Sequence, residues 1–222
     1  MMHTYRAMSF IMACTLSLTA EMIVKQEPIR PKQTIRLFNG KDLAGWTKVI
    51  TQEPDSCPDK TWSVQNGEIH CTGTPFGYLA TQQSFADYTL RVSYRWNGTA
   101  EQMNSGIFIH KTGPDNNFLP KAIETQLKLE NAGDFVLLSQ ATLNGLENPK
   151  NLRVEKKAPC SEKPQGEWNL VEIVVKGNTI ESRVNGVLQN SGTGIYTSAG
   201  QICLQSEGGP IAFRDITLEP LQ

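Results

Sequence analysis

Residues 88–96 read Tyr88-Thr89-Leu90-Arg91-Val92-Ser93-Tyr94-Arg95-Trp96, and this stretch decides the fold class of the 222-residue chain. Apolar and polar side chains alternate along it without a break. Successive side chains of a β-strand point to opposite faces, so all the apolar and aromatic side chains here share one face. The pattern predicts a half-buried antiparallel strand, with one face in the core and the other in solvent.

The same period of two dominates the chain from Thr34 onward. Asn185-Gly186 separates two apolar runs, which is the strongest short signal for a β-hairpin. No stretch of twelve or more residues keeps a helical stripe. Many short strands with frequent turns predict an all-β fold, a two-sheet antiparallel jelly-roll sandwich. The further predicted strands include Asn169–Lys176, Thr179–Val184, Val187–Leu188, Gln201–Gln205 and Ile211–Leu218.

The composition excludes several classes of protein. Lys and Arg number 21 and Asp and Glu 22, for a net charge of −1. This balance excludes the basic surface of a nucleic-acid-binding protein and a polybasic membrane patch. A low charge content of 19%, with 18 Gly and 12 Pro, argues against a charged disordered chain and favours short strands with many turns. A chain of this size buries about 70% of its unfolded surface, enough to fold without a disulfide or a metal.

The N-terminal residues predict export. Residues 1–20 contain a single charged side chain, Arg6, followed by an apolar stretch that is too short to span a bilayer. This pattern is typical of a secretory signal peptide. Residues 21–33 predict a linker, and residues 34–222 predict the jelly-roll domain. We expect an exported protein, periplasmic or at the cell surface, without a transmembrane segment.

The five cysteines leave alternatives open. Cys14 ends a short sequence that weakly resembles a bacterial lipoprotein box, so a lipid anchor at Cys14 is the alternative to a cleaved signal peptide. Cys57 and Cys160 lie in polar stretches beside a proline, so a disulfide between them after export is one candidate pairing. Cys71 and Cys203 lie in predicted strands and are expected to be buried thiols. Four cysteines allow three full pairings, which the spacing does not decide between.

A predicted strand over residues 123–130 carries candidate chemistry. Its polar face holds Glu124, Gln126, Lys128 and Glu130, and the apolar side chains between them are expected in the core. The polar row is either an ordinary solvated face or a row of hydrogen-bonding groups on a sugar-binding sheet. A neighbouring predicted strand ends in His110, one of only three histidines.

The spacing of the carboxylates tests ordinary glycosidase chemistry. The two catalytic carboxyls lie about 5 Å apart in retaining enzymes and about 6.5–9.5 Å apart in inverting ones. Glu124 and Glu130 are separated by about 20 Å on one regular strand, and Gln126 can serve neither as an acid nor as a base. The strand therefore lacks the carboxylate pair of a conventional laminarinase-like glucanase.

A set of short motifs in a fixed order runs through residues 36–220. The motifs are Leu37-Phe38-Asn39-Gly40-Lys41-Asp42-Leu43, Gly45-Trp46, Asn104-Ser105-Gly106-Ile107-Phe108, Ile123-Glu124-Thr125-Gln126, Ala132-Gly133-Asp134, Gly166-Glu167-Trp168-Asn169, Val184-Asn185-Gly186, Leu204-Gln205-Ser206-Glu207-Gly208 and Ile211-Ala212-Phe213-Arg214-Asp215-Ile216. By this set, the chain resembles the 3-keto-disaccharide hydrolase family, formerly a domain of unknown function. The resemblance implies a jelly roll of the concanavalin-like lectin/glucanase type and an exported bacterial protein of sugar metabolism.

The substrate class that this resemblance implies suggests a mechanism. A ketone at C3 of a sugar acidifies the proton on C2, so a base can remove it and the glycosidic oxygen leaves C1 by elimination. Water addition then completes a net hydrolysis. We predict Glu124 or His110 as the base. The predicted substrate-binding residues are Gln126, Lys128, Asn104, Gln205, Glu207 and Arg214.

A divalent metal ion is the alternative means of polarising the ketone. Its candidate ligands are His110, Glu124, Asp134 and Glu207.

Two other functions compete with this enzyme, and each also takes a carbohydrate as its partner. A non-catalytic, lectin-like module needs no base, so the combination of His110 and Glu124 favours catalysis. A conventional glucanase is the second alternative. Of the remaining motif residues, Trp46, Trp62 and Trp168 are expected in the core, and Arg214 is expected to pair with Glu207 or Asp215.

Overall fold

The computed structural model describes residues 27–50, 58–98, 103–114, 119–147 and 152–222. These ranges contain seventeen strands and a single helical turn, α1 (Pro58–Thr61). In chain order the strands are β1 (Ile35–Arg36), β2 (Trp46–Ile50), β3 (Trp62–Gln65), β4 (Glu68–Cys71), β5 (Gly77–Thr81), β6 (Tyr88–Trp96), β7 (Gly106–Thr112), β8 (Lys121–Gln126), β9 (Phe135–Leu138), β10 (Thr142–Leu143), β11 (Leu146–Glu147), β12 (Leu152–Val154), β13 (Asn169–Lys176), β14 (Thr179–Val184), β15 (Val187–Thr193), β16 (Gln201–Ser206) and β17 (Ile211–Glu219).

Two antiparallel sheets form the sandwich. The eight-stranded sheet has the order β15-β14-β13-β6-β17-β4-β3, and β1 pairs with β17. The seven-stranded sheet has the order β12-β9-β8-β7-β16-β5-β2. Strands β10 and β11 form a separate hairpin. The prediction of an all-β, two-sheet jelly-roll sandwich is confirmed.

The core lies between the two sheets and follows the predicted alternation. The inward side chains of β6, from Tyr88 to Trp96, are at most 2% exposed. On the opposite face of the same strand, Arg91 forms an ion pair with Glu172. The predicted hairpin at Asn185-Gly186 joins β14 to β15, and both turn residues have positive φ angles, as a two-residue hairpin turn requires.

The predicted strand over residues 123–130 is wrong at its C-terminal half. Strand β8 ends at Gln126, whose Oε1 atom accepts hydrogen bonds from the backbone N–H groups of Leu127 and Lys128. The Leu127 N–H group also donates to the Ser105 carbonyl, so the backbone stays beside residues 103–105 without continuing as a regular strand. Glu130 then adopts a left-handed φ of 69° in the turn that leads to β9. Leu129, expected in the core, is 37% exposed as a result.

Several predictions fall on residues outside the described ranges. These are the signal peptide over residues 1–20, the lipid anchor at Cys14 and the Cys57 half of the disulfide, so each stays a prediction. The Cys160 thiol is exposed and lies 3.5 Å from Glu162 Oε2. Within the described part of the chain, no helix is long and apolar enough to cross a membrane.

Candidate active site

The candidate site lies on the outer face of the seven-stranded sheet, the face turned away from the core. In the register of β7 and β8, Phe108 lies opposite Glu124. The preceding residue, Ile107, packs in the core, so Phe108 and Glu124 point outward. Glu124 therefore borders a second apolar cluster on this outer face, formed by Val49, Tyr78, Ala80, Phe108, Ala122, Leu138 and Cys203.

A glycine makes room for the carboxyl group of Glu124. Gly106 is the residue next to Phe108 on the outer face of β7, and it lies opposite Gln126. A Cβ atom on Gly106 would lie only 2.2 Å from Glu124 Oε1. The carboxyl group therefore occupies the space above Gly106, and Glu124 as a whole is 2% exposed.

The second carboxyl group comes from the neighbouring strand. Glu207 directly follows β16, which pairs with β7. Asn104 Nδ2 donates a hydrogen bond of 3.0 Å to Glu207 Oε2. Ser105 Oγ donates a bond of 2.8 Å to the backbone carbonyl of Gln205 and fixes the same two segments to each other. These contacts bring residues from distant parts of the sequence to one end of the outer face.

The two carboxyl groups influence each other's protonation. Burial raises the pKa of Glu124 well above its ordinary value, and the negative charge of Glu207 raises it further. Burial also raises the pKa of Glu207, whereas the Gln205 amide and the Lys128 ammonium group act in the opposite direction. Glu124 and Glu207 are thus a pair of interacting acids that do not both ionise readily.

Several buried polar atoms at this site lack a hydrogen-bond partner among the described residues. They include Glu124 Oε1 and Asn104 Oδ1. The Gln205 amide is fully buried, and neither of its atoms has a partner of normal hydrogen-bond geometry in this part of the structure, although it lies close enough to Glu207 to lower its pKa. Buried polar groups are satisfied in most native proteins, so such a cluster is typical of a site that binds a polar ligand or water.

The structure does not bring His110 to Glu124. Strand β7 is irregular between Ile109 and Thr112, and His110 has a φ of 53°. Its ring packs edge-on against Tyr88 of the core, and its Nδ1 atom lies 2.9 Å from the Thr197 carbonyl oxygen. His110 is also about 13 Å along β7 from Gly106, above which the Glu124 carboxyl lies. The two residues predicted as alternative bases are therefore separate in the structure, and only Glu124 lies beside Glu207.

The other predicted binding residues are divided between the two sheets. Gln126 uses its side-chain oxygen to end β8, whereas Lys128 is exposed and close enough to lower the pKa of Glu207. Arg214 lies in β17, in the eight-stranded sheet, and forms the expected ion pair with Asp215 at 3.3 Å. It is therefore in the other layer from the carboxyl pair.

Trp168, expected in the core, is only half-buried. It precedes β13 in the eight-stranded sheet, and two arginine side chains contact its ring. The Cζ atoms of Arg95 and Arg214 lie 4.6 and 4.0 Å from the ring centroid. The cationic side chains take the place of core packing, and Trp46 and Trp62 are buried as expected.

The predicted metal ligands are not gathered into one site. Asp134 is fully buried, but its carboxylate binds Arg153 Nε at 2.5 Å and the backbone N–H of Lys156 at 2.7 Å. His110 faces the core. In the described ranges, no group of three or more His, Cys, Asp or Glu side chains is arranged to hold a metal ion. We derive no catalytic step through a metal.

The sequence motifs contained Glu124 and Glu207, but the spacing along one strand does not pair these two residues. In the structure the two carboxyl groups come together across β7. Three motifs in the sequence contain the residues that form the carboxyl pair and its surroundings. They supply Gly106 from the motif that begins at Asn104, Glu124 from residues 123–126 and Glu207 from residues 204–208. Placing the three strands side by side would have been necessary to find the pair.

The sequence profile of a family described as "3-keto-alpha-glucoside-1,2-lyase-like domain" matches residues 33–219. The chain belongs to this family. The motifs that carried the resemblance, from Leu37 to Ile216, all lie within the matched range, so this assignment is confirmed. No curated protein matches the chain in sequence.

Solved structures share the fold of this lyase-like domain at low sequence identity. A Parabacteroides distasonis protein provisionally described as a glycosyl hydrolase has a TM-score of 0.61 and 19% identity, over 86% of this chain and 94% of that one. The carbohydrate-binding module CBM66 from Bacillus subtilis has a TM-score of 0.60 and 14% identity, over 79% and 95%. A Bacillus licheniformis beta-glucanase has a TM-score of 0.57 and 15% identity, over 86% and 99%. The concanavalin-like fold is thus shared by hydrolases and binding modules.

Proposed function

We propose that this protein is a carbohydrate-active enzyme that cleaves 3-keto glycosides by removing the C2 proton and eliminating the group at C1. Its family membership supports the substrate class. The observation that carries the catalytic role is the pair of interacting carboxyls, Glu124 and Glu207, beside buried polar atoms without partners. A module that only bound sugar would gain nothing from a buried acid whose pKa is raised.

The chemistry needs few groups, because the substrate itself is activated. The C3 ketone acidifies the neighbouring C2 proton, so a carboxylate is a strong enough base when it is held in place. The negative charge that develops on the ketone oxygen needs a hydrogen-bond donor. The amides of Asn104 and Gln205 and the ammonium group of Lys128 lie around the carboxyl pair and are the available donors.

Hydrolysis of an unoxidised glycoside is the second candidate function. The structure supports it at one point, because Glu124 and Glu207 supply the carboxyl pair that a single strand does not provide. Ordinary glycosidases also use two carboxyls, one of them with a raised pKa. The two functions differ in their requirement for the ketone, which can be measured directly.

The test compares a 4-nitrophenyl 3-keto-glucoside with its unoxidised parent, using the purified full-length protein. Release of nitrophenol from the keto sugar alone supports the proposal. Release from the parent at a similar rate supports the glucanase alternative, and binding without turnover of either sugar supports a lectin-like module. The assay is repeated with EDTA and with added divalent ions, and loss of turnover with EDTA would restore the metal hypothesis.

We propose that the protein acts outside the cytoplasm, where it meets its carbohydrate substrate. The proposal rests on the signal-like residues 1–20. N-terminal sequencing of the protein recovered from a bacterial expression host tests it. Cleavage near Ala20 supports a signal peptide, whereas a lipid-modified Cys14 supports anchoring. An intact Met1 in a cytoplasmic fraction would contradict export.

A further inference from the structure

We propose that the two carboxyls have separate roles: Glu207 removes the C2 proton, and Glu124 protonates the departing glycosidic oxygen at C1. This assignment rests on the proposed function and goes beyond it. It also differs from the sequence-based hypothesis, in which Glu124 or His110 was the base. The structural basis is the difference between the surroundings of the two side chains.

Glu124 lies in an apolar environment. Its neighbours across the sheet are Phe108 on β7 and Val136 on β9. The residue is 2% exposed, and its Oε1 atom has no hydrogen-bond partner among the described residues. Burial and the unpartnered Oε1 atom both disfavour the carboxylate, so the neutral carboxylic acid is the favoured form. A neutral acid can donate a proton.

Glu207 lies in a polar environment at the end of β16. It is half-buried, accepts a hydrogen bond from Asn104 Nδ2 and lies near the positive charge of Lys128. Compared with the surroundings of Glu124, all three features favour the ionised carboxylate of Glu207 over its neutral acid. Its partial exposure also lets it return a proton to solvent after each turnover.

Two carboxyls in contrasting environments are a recognised means of separating acid from base. Each Glu also reinforces the role of the other. The negative charge of Glu207 raises the pKa of Glu124 and so favours its protonated form. The deeper burial of Glu124 and the hydrogen bond from Asn104 to Glu207 both favour a negative charge on Glu207 and not on Glu124.

The step balances without an external oxidant or reductant. Glu207 takes the C2 proton, and the electrons of the C2–H bond form an enolate with the C3 ketone. The enolate then forms the C1–C2 double bond while the C1–O bond breaks. The oxygen leaves with that electron pair and takes the proton of Glu124. The products are an unsaturated 3-keto sugar and an alcohol, and proton exchange with water restores both carboxyls.

The test separates the two roles with a substrate that has no leaving group. A 3-keto sugar with hydrogen in place of the C1 oxygen substituent is incubated in D2O, and the loss of the C2–H signal is followed by NMR. Exchange needs the base alone. We expect Glu207→Gln to slow exchange by at least about 100-fold, the usual contribution of a positioned base, and Glu124→Gln to slow it by less than about 10-fold.

A second measurement varies the leaving group. Glu124→Gln should cleave a 3-keto glucoside of nitrophenol far better than one of an alkyl alcohol, because nitrophenolate leaves without protonation. Glu207→Gln should lose activity on both. Glu130→Gln is the matched control, because Glu130 is an exposed carboxyl in the turn after β8. The melting temperature of each variant shows whether it is folded.

The outcomes distinguish this assignment from the proposed function. If the wild-type protein neither exchanges the C2 proton nor cleaves keto sugars, the proposed function itself fails. If the wild type is active but Glu124→Gln loses exchange while Glu207→Gln keeps it, only the assignment of roles is overturned. Equal loss of exchange in both variants also overturns it.

Discussion

The carboxyl group of Glu124 occupies the space directly above the Cα atom of Gly106, on the adjacent strand β7. A Cβ atom at position 106 would lie 2.2 Å from Oε1 and 2.6 Å from Cγ of Glu124. Gly106 therefore determines where the candidate acid lies, although it carries no functional group. Its neighbour Ser105 binds β16, so the same short segment also fixes the position of the strand that leads to Glu207.

Gly106→Ala should displace the Glu124 side chain. We expect a loss of about 1–3 kcal/mol in the free energy of unfolding, as for other overpacked sites, together with a large loss of kcat/KM. The double variant Gly106→Ala/Glu124→Ala tests the cause, because it removes the atoms that clash. If the losses of stability in the two single variants simply add in the double variant, the clash with the Glu124 side chain is not what destabilises Gly106→Ala.

Asn104→Ala should reduce both activity and stability. Asn104 is half-buried and donates a charge-assisted hydrogen bond to Glu207, a type of bond with a net value of about 1.5–3 kcal/mol. Loss of this bond leaves the carboxylate less firmly positioned, so we expect kcat/KM for a 3-keto glycoside to fall about 10-fold or more. Thermal unfolding measured in parallel checks the fold. An unchanged kcat/KM would remove Asn104 from the site.

Glu124 should make the fold less stable as the pH rises. Its pKa in the folded protein is well above the ordinary value of 4.5, so the unfolded chain releases this proton at a lower pH than the folded protein does. Stability is therefore highest below pH 4.5 with respect to this group and falls as the pH rises toward the raised pKa, by up to about 1.4 kcal/mol for each pH unit.

Glu124→Gln should remove this dependence. Denaturant unfolding of the wild type and the variant between pH 4 and pH 8 measures it, and the variant should gain stability relative to the wild type as the pH increases. A constant difference across this range would mean that the Glu124 carboxyl is not the titrating group.

His110 should have the opposite effect, on the acid side. Burial lowers its pKa from 6.5 to about 4, so the neutral ring is the folded form. The contribution of the neutral ring to stability is fully present above pH 6.5 and is lost as the pH falls toward 4. The stability lost by pH 4 is about 3 kcal/mol. His110→Asn keeps a polar group near the Thr197 carbonyl but does not titrate. Unfolding of this variant should lack that acid-dependent loss, and a parallel loss in both proteins would contradict the prediction.

The sequence predicted the sandwich because alternation is a local property. The pattern of residues 88–96 and the Asn185-Gly186 turn each specify their structure within a few residues, and both predictions are confirmed. The end of β8 was missed because the Gln126 side chain binds the next two backbone N–H groups and the chain turns at Glu130, whose φ is left-handed. The backbone N–H groups of Leu127 and Leu129 still donate to the carbonyls of Ser105 and Met103, but the regular strand does not continue.

The site could be predicted only in part. The motifs identified Glu124, Glu207, Asn104 and Gln205 as candidates, yet alternation along a strand does not show which strands are neighbours. The left-handed backbone at His110 turned its ring inward, against the expected alternation. Arg214 belonged to the other sheet, a fact that depends on the order of the strands in space.

The position of β16 between β7 and β5 has a consequence for the assembly of the protein during synthesis. Glu124 is on β8, whereas Glu207 follows β16, so a ribosome must translate most of the chain before both exist. β17 is also needed, because it fills the middle of the other sheet, between β6 and β4. A nascent chain, or one truncated before β16, therefore cannot bring the two carboxyl groups together. Under the proposed function, catalytic activity should report complete folding of the whole sandwich.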